Sequence, residues 1–512
     1  MVSRCVLRLV GVLAFGLVTA GCTSGDAIDS SAEGTKAGSP TPTRLNVMSF
    51  NIEYGGEGVD FGSVSKAIEA ADADVVAIQE GFGNIPEIAG DLGWDYYDTR
   101  AQVVSKYPLL SQSDPQDRAV FVEVEPGAVA ALINLHLSST KYGPQLIDKG
   151  RATAAEVLRN ENALRLPELE PVLDEASSLT QRGIPVFVTG DFNAPSHRDW
   201  TAATVGLRDH MAFPLQWPTS VAAEAAGLVD AYRALSPDPV EDPGLTWPAS
   251  RPFVPGYNPG PNGAAADRID LMFTGGPVEP VEARIVGEKG SAFTDVAVSP
   301  WPTDHRALVV RAELLPAAPP TLVTIDQRLV TIGQERNVRY VSDSGDAATL
   351  AVVPAAGGVE DAAIEQQLDN AASGSWLLPT QELEQGAYDL VLLDGDGAEL
   401  ARSPFWLIEP GATPQLTTDK RVYAPSEPIE VTWLYAPGNK WDWLGIYDRG
   451  ADPEVASYTT WTYTGGTIAG TEILDGSDFG GPWPLSPGAY SVYLLVDDSY
   501  EKVAGTDFDV RR

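Results

Sequence analysis

Cysteine is almost missing from this 512-residue chain, which has only Cys5 and Cys22. Cys5 lies in an amino-terminal stretch with the pattern of an export signal: Arg4 and Arg8, an apolar run from Leu9 to Val18, then Thr19-Ala20-Gly21-Cys22. With that stretch removed no internal disulfide can form, so the folded part must be held by its hydrophobic cores. Positive charge is also scarce, with 34 Lys and Arg against 71 Asp and Glu, a net charge of −37 and no Lys/Arg cluster. A field of that sign repels long polyanions and argues against tight nucleic-acid binding through a basic groove. After the leader no apolar run is long enough to span a bilayer. What is plentiful is turn chemistry, 40 prolines and 49 glycines, which predicts a β-rich molecule of two or three domains.

The string Thr19-Ala20-Gly21-Cys22 resembles a bacterial lipoprotein processing site, with Thr19 where an aliphatic residue is usual. The expectation is a signal over residues 1–21, a lipid on Cys22, and a Ser/Gly/Thr/Pro/Ala-rich flexible tether over 22–43. That places the protein on the outer face of a bacterial cell membrane, with plain secretion as the alternative.

Two strings carry chemistry. Gly190-Asp191-Phe192-Asn193 closes the apolar run Ile184-Pro185-Val186-Phe187-Val188, and Thr303-Asp304-His305 precedes the run from Ala307 to Val310. Asp191 and Asn193 are two apart, so on extended backbone both face one side; a turn built by Asp, Asn and Pro195 is the structural alternative. Four more strings share the design. Asn51 and Glu53 follow Val47-Met48-Ser49-Phe50, Glu80 follows Val75-Val76-Ala77-Ile78-Gln79, His136 ends Leu132-Ile133-Asn134-Leu135, and Asp267-Arg268-Ile269-Asp270 opens Leu271-Met272-Phe273. A strand-end carboxylate such as Glu80 is a hard oxygen donor suited to Mg²⁺. Arg268 is expected to pair with Asp267, and His197 and His210 to be structural.

In this order the six strings resemble the endonuclease/exonuclease/phosphatase superfamily, over residues 44–315. The resemblance implies an α+β fold, a four-layer α/β/β/α sandwich of the DNase I-like kind, with the site where strand ends meet. It implies a divalent-metal-dependent phosphoric ester hydrolase. By resemblance Asn51, Glu53, Glu80 and Asp304 hold Mg²⁺, with Mn²⁺ or Ca²⁺ as alternatives. Asp191 orients or deprotonates the attacking water, Asn193 binds a phosphoryl oxygen or positions that water, His136 and His305 donate to the phosphate, and Asp270 orients His305. Since abasic-site endonucleases carry tyrosine where His136 stands, and the 5-phosphatase strings are missing, a small phosphate ester or phospholipid headgroup is the leading substrate. An extracellular DNase is the alternative, and a non-catalytic surface scaffold the second.

Beyond the boundary Pro316-Ala317-Ala318-Pro319-Pro320 the chain repeats itself faintly. Gly386-Ala387-Tyr388 returns as Gly488-Ala489-Tyr490, and Thr324-Ile325-Asp326-Gln327-Arg328 is echoed by Thr417-Thr418-Asp419-Lys420-Arg421. Two all-β immunoglobulin-like sandwiches are expected, over 319–409 and 413–512. They show no catalytic constellation, and Trp441 and Trp443 make cell-wall glycan a candidate partner. The long loop from Pro248 to Ala266 is expected to overhang the site.

Overall fold

The apolar runs along the first 270 residues after the tether are realised as two large sheets. In the computed structural model the described residues are 42–114, 116–252, 265–342, 345–355, 357–368, 372–476 and 483–512. The leader, Cys22, most of the tether and residues 253–264 of the Pro248–Ala266 loop lie outside them. Among the described residues no helix is long and apolar enough to cross a membrane.

The first sheet has seven strands, in the order Val296–Val298, Val278–Glu288, Ala307–Leu314, Thr43–Asn51, Val75–Gln79, Val103–Ser105 and Tyr96–Asp98. The second has six, Leu109–Ser111, Val120–Glu125, Ala128–His136, Val186–Asp191, Asp270–Gly275 and Val229–Asp230. Their facing sides share a core in which Leu45, Val47 and Val75 of one sheet meet Val122, Leu132 and Phe187 of the other. Both faces of each central strand are buried, which explains why these strands read as continuous apolar runs rather than alternating ones. On the outer face of the six-stranded sheet lies the helix Arg165–Gln181, through Leu169, Val172 and Ala176. On the outer face of the seven-stranded sheet lie Gly62–Ala70 and Ile85–Leu92, through Val64, Ile68 and Ile88. This is the four-layer α/β/β/α sandwich.

The sequence also suggests helices near 62–71, 151–178 and 198–204, and the structure corrects the last two. The stretch 151–178 is not one helix: Ala154–Ala163 starts from a Thr153/Glu156 capping box and breaks at Leu164 before Arg165–Gln181 begins. Residues 198–204 form turns instead of a helix. Asp199 and Trp200 are drawn inward there, Asp199 to Arg233 and Arg268, and the Trp200 indole N–H to Asp267 at 2.9 Å.

The tail folds twice on one plan. Leu322–Ile325, Arg336–Val341 and Ser373–Leu378 form a three-stranded sheet that faces a five-stranded one across Val323, Leu350, Leu390 and Phe405. The same three-plus-five arrangement recurs from Gln415 to Val510 around Val431, Ile446, Val492 and Phe508. The repeated Gly-Ala-Tyr strings open equivalent strands. Tyr388 donates its hydroxyl to Glu384 O at 3.1 Å and stacks on Phe405, as Tyr490 donates to Ser486 O at 2.8 Å and stacks on Phe508. From Thr41 to Arg512 the chain packs as one unit.

Candidate active site

Three neighbouring strands of the six-stranded sheet bring their site residues into one row. Ala128–His136 runs parallel to Val186–Asp191 and pairs His136 with Asp191, while Asp270–Gly275 runs antiparallel and pairs Asp270 with Asp191. Gly190 makes the row possible: its φ is 148°, and a Cβ there would sit 1.8 Å from the Leu135 carbonyl oxygen. In the facing sheet Asn51 ends its strand beside Gln79, with Glu80 next in the chain. The Thr303 hydroxyl donates to Asn51 O at 3.0 Å and so fastens the Thr303-Asp304-His305 string to that strand end. Glu53, Glu80 and Asn193 all have left-handed backbone, φ 53°, 57° and 47°. That conformation is unfavourable for non-glycine residues and is concentrated here at the strand ends.

Asp191 is the hub. It is buried, and its Oδ2 lies 3.2 Å from Asn51 Nδ2, 3.7 Å from His136 Nε2 and 3.8 Å from His305 Nε2. Each imidazole is held from behind by a second acid. His305 Nδ1 is 3.0 Å from Asp270, and His136 Nδ1 is 2.9 Å from Asp498, a residue of the second tail sandwich. Burial works against charge on His136, yet Asp498, Asp191 and Glu80 outweigh it and raise its pKa to about 10. The same contest, won by Asp270 and Asp191, holds His305 well above the usual imidazole range. Burial pushes Asp191 up to about 6 against the pull of the two imidazoles.

Asn193 sits against Asp191. Its side-chain amide donates to Leu137 O at 3.0 Å and to Asp191 at 3.2 Å, and its backbone N–H donates to Asp191 Oδ1 at 2.8 Å. Through these bonds it fixes Asp191. Glu80 accepts from Asn51 Nδ2 and from the Tyr54 N–H, both at 3.1 Å. Glu53 is held differently. Its carboxylate takes Arg251 Nε at 2.5 Å and Nη2 at 2.6 Å, and the Asp304 N–H at 3.0 Å, so the longer side chain is spent on an ion pair. Asp304 receives the Trp247 indole N–H at 3.1 Å.

With this geometry in view, residues 48–305 match the Endonuclease/Exonuclease/phosphatase family. The chain belongs to that family. An uncharacterized protein of Caenorhabditis elegans is 30% identical over 297 residues, 52% of this chain and 91% of that one. Among solved structures, a family protein from Beutenbergia cavernae is 17% identical, covering 71% of this chain and 100% of its own, with a TM-score of 0.33. The D. rerio TDP2 complex with a single-strand DNA product (17% identical, 53% and 99% covered, TM-score 0.31) and a Bacteroides thetaiotaomicron mannosyl-6-phosphatase (15%, 53% and 99%, 0.30) are similar at the same distance.

Members of the endonuclease/exonuclease/phosphatase family are metal-dependent hydrolases of phosphate esters, nucleases included. The donors of this chain fit a hard divalent cation. Glu80, Asn51 and Asp304 offer oxygen atoms, and behind them Asp191, Asp270 and His305 cluster, one side-chain atom of each lying within 4.8 Å of the others. Asp270 Oδ1 is buried without a hydrogen-bond partner, a polar atom left for something else to satisfy.

Several residues at this family site were not anticipated. Arg268 is fully buried but passes over Asp267 to bond Asp199 at 3.0 Å and Asp230 at 2.7 Å; Asp267 instead receives Trp200 and sits 2.8 Å from His210. Arg251, which braces Glu53, lies in the loop expected to overhang the site, and Trp247, which bonds Asp304, stands just before that loop. The tail, read as free of catalytic residues, contributes Asp498. It also contributes aromatic rings to the wall of a cavity of about 260 Å³ above Glu80, His136 and His305, among them Tyr458, Trp461 and Tyr500.

Proposed function

We propose that this protein hydrolyses a compact phosphate ester by in-line attack of water, without a covalent enzyme intermediate. The observation that carries the reading is Asp191 set between two imidazoles, each backed by an acid, beside the oxygen donors of Glu80, Asn51 and Asp304. A divalent cation, Mg²⁺ by the hardness of those donors, would neutralise charge on the phosphoryl group when bound. Asp191 takes the proton of the attacking water, and a pKa near 6 suits a base at neutral pH. His136 and His305, kept protonated by their acids, point Nε2 donors at the place where phosphoryl oxygens gather charge. Asn193 and Asn51 hold Asp191 in its rotamer. Glu53 with Arg251 braces the backbone of Asp304.

The substrate reading follows from the walls. A folded sandwich closes one side of the cavity, which favours a small ester or a phospholipid headgroup over a nucleic-acid duplex, and the net charge of −37 points the same way. The protein is taken to be exported and anchored by a lipid on Cys22; Trp441 and Trp443, on which the glycan expectation rested, are both buried, so glycan would have to meet other residues of the docked tail.

The test is a panel of phosphomonoesters, phosphodiesters, sphingomyelin and DNA, assayed with Mg²⁺, Mn²⁺ or Ca²⁺ and with chelator. Metal-dependent turnover of a small ester or headgroup, faster than of DNA, is expected. Turnover that survives full chelation would remove the metal from the account, and preferential cleavage of DNA would replace the substrate class.

A further inference from the structure

The acid behind His305 is its neighbour in the catalytic fold, but the acid behind His136 comes from 362 residues further along the chain. The two pairs are near copies. Nδ1 lies 3.0 Å from Asp270 in one and 2.9 Å from Asp498 in the other, and Nε2 lies 3.8 Å and 3.7 Å from the same oxygen of Asp191. Asp498 is fully engaged, because its second oxygen accepts the Tyr463 hydroxyl at 3.1 Å.

The turn that delivers Asp498 is built at a cost. Asp497 and Asp498 are consecutive left-handed residues, φ 53° and 62°, each unfavourable by about 1 kcal/mol or more. The equivalent hairpin of the first sandwich, between Gly386–Asp394 and Glu399–Ile408, uses Gly397 at φ 81° and carries no such strain. Sandwich folding therefore does not require the strained form. Hydrogen bonds from both sides hold it: Asp497 accepts Gln102 Nε2 at 2.5 Å and the Gly83 N–H at 2.9 Å, and the Asp498 N–H donates to Trp441 O at 2.9 Å. Backbone strain maintained by a docked neighbour is what fixing one carboxylate in place demands.

We infer that Asp498 is a positioning residue of the hydrolytic reaction and that the second tail sandwich is a working part of the active site. Asp498 holds the His136 ring so that Nε2, not Nδ1, faces the phosphoryl group. Its carboxylate accepts from Nδ1 and so fixes the plane of the ring. The inference rests on the phosphoesterase reading for its kinetic consequence but not for its structural one.

Two measurements on the full chain separate these. With bis-p-nitrophenyl phosphate and p-nitrophenyl phosphate as probes and Mg²⁺ present, Asp498→Asn is expected to lower kcat about 10–100-fold, leaving KM within about twofold and the thermal midpoint nearly unchanged. A kcat within twofold of the parent overturns the inference, as does a loss of kcat matched by a collapse of the midpoint, which would make the residue a docking contact only. Proton NMR of the parent protein, with four histidines to assign, is expected to show a downfield Nδ1–H that disappears in His136→Gln and moves upfield in Asp498→Asn. Its absence in the parent overturns the inference whatever the assays give. If the parent shows the resonance but cleaves no ester in the presence of metal, the phosphoesterase reading fails while the cross-domain pair stands.

Discussion

The two tail sandwiches share a strand plan, a tyrosine hydrogen-bonded to a carbonyl four residues back, and a core, yet they do different work. The first caps an edge. Arg328 donates to Gln112 O at 2.8 Å and Ser113 O at 2.9 Å, Arg339 to Leu109 O at 2.9 Å, and Ser403 to Ser113 O at 3.0 Å, all around the outermost strand of the six-stranded sheet. The second sits at the strand ends, where Lys440 bonds Asn134 O, Asp497 bonds Gln102 and Gly83, and Asp498 bonds His136. Covering an edge strand protects it from unwanted pairing and needs only backbone acceptors. Reaching His136 needs a specific carboxylate on a specific turn. Duplication of a fold therefore leaves its core alone and changes its loops, where function is added.

That comparison can be broken at several points. The largest effect expected is a difference in pH response. Burial raises Asp497 to about 7 and Asp442, also in the second sandwich, to about 6. A carboxyl with a raised folded-state pKa gives stability that is fully present below about pH 4 and is lost as pH climbs through the folded value. The protein should thus lose up to about 4 kcal/mol between pH 4 and 7 from Asp497. Arg328, which burial lowers to about 10, stays charged across that window, so its own bonds to Gln112 and Ser113 should not respond. Thermal midpoints against pH, for the parent and for Asp497→Asn, decide it: the variant should flatten the slope, and an unaltered slope would assign it elsewhere.

Next in size, Arg328→Ala should cost about 2–3 kcal/mol in urea unfolding, because charged hydrogen bonds are lost and buried carbonyls are left bare. Its kcat should equal the parent's. A fall in kcat would mean that the first sandwich also serves the site. Smallest is the wall itself. Tyr458, 38% exposed and edge-on to Trp443, is placed to touch substrate. Tyr458→Ala should raise KM about tenfold, roughly 1.4 kcal/mol, with kcat unaltered. A KM that does not move on any ester would take the aromatic face out of recognition.

Much of this was legible in the sequence because the signals are local. Apolar runs ending in Asn51, Glu80, His136 and Asp191 are strand ends that chain spacing alone can register, and the Gly-Ala-Tyr repeat marks equivalent strands of the two sandwiches. What was illegible is long-range choice among partners of like chemistry. Arg268 had Asp267 beside it but is held by Asp199 and Asp230, since its buried guanidinium is better satisfied by two carboxylates on other segments. Glu53 stands in a metal-ligand motif, but its pairing with Arg251, 198 residues away, has no local signal. Asp498 looked like one more turn acid among 71 acidic residues, and nothing in its neighbours in the chain names a histidine in another domain.

The central claim is that Asp191, set among His136, His305 and the oxygen donors, drives metal-dependent hydrolysis of a phosphate ester. Its most direct test is the Mg²⁺-dependent rate of Asp191→Ala on the best ester of the panel, alongside a circular dichroism spectrum. A loss of at least about a hundredfold in kcat with the spectrum intact is the predicted result; an undiminished rate would contradict the account.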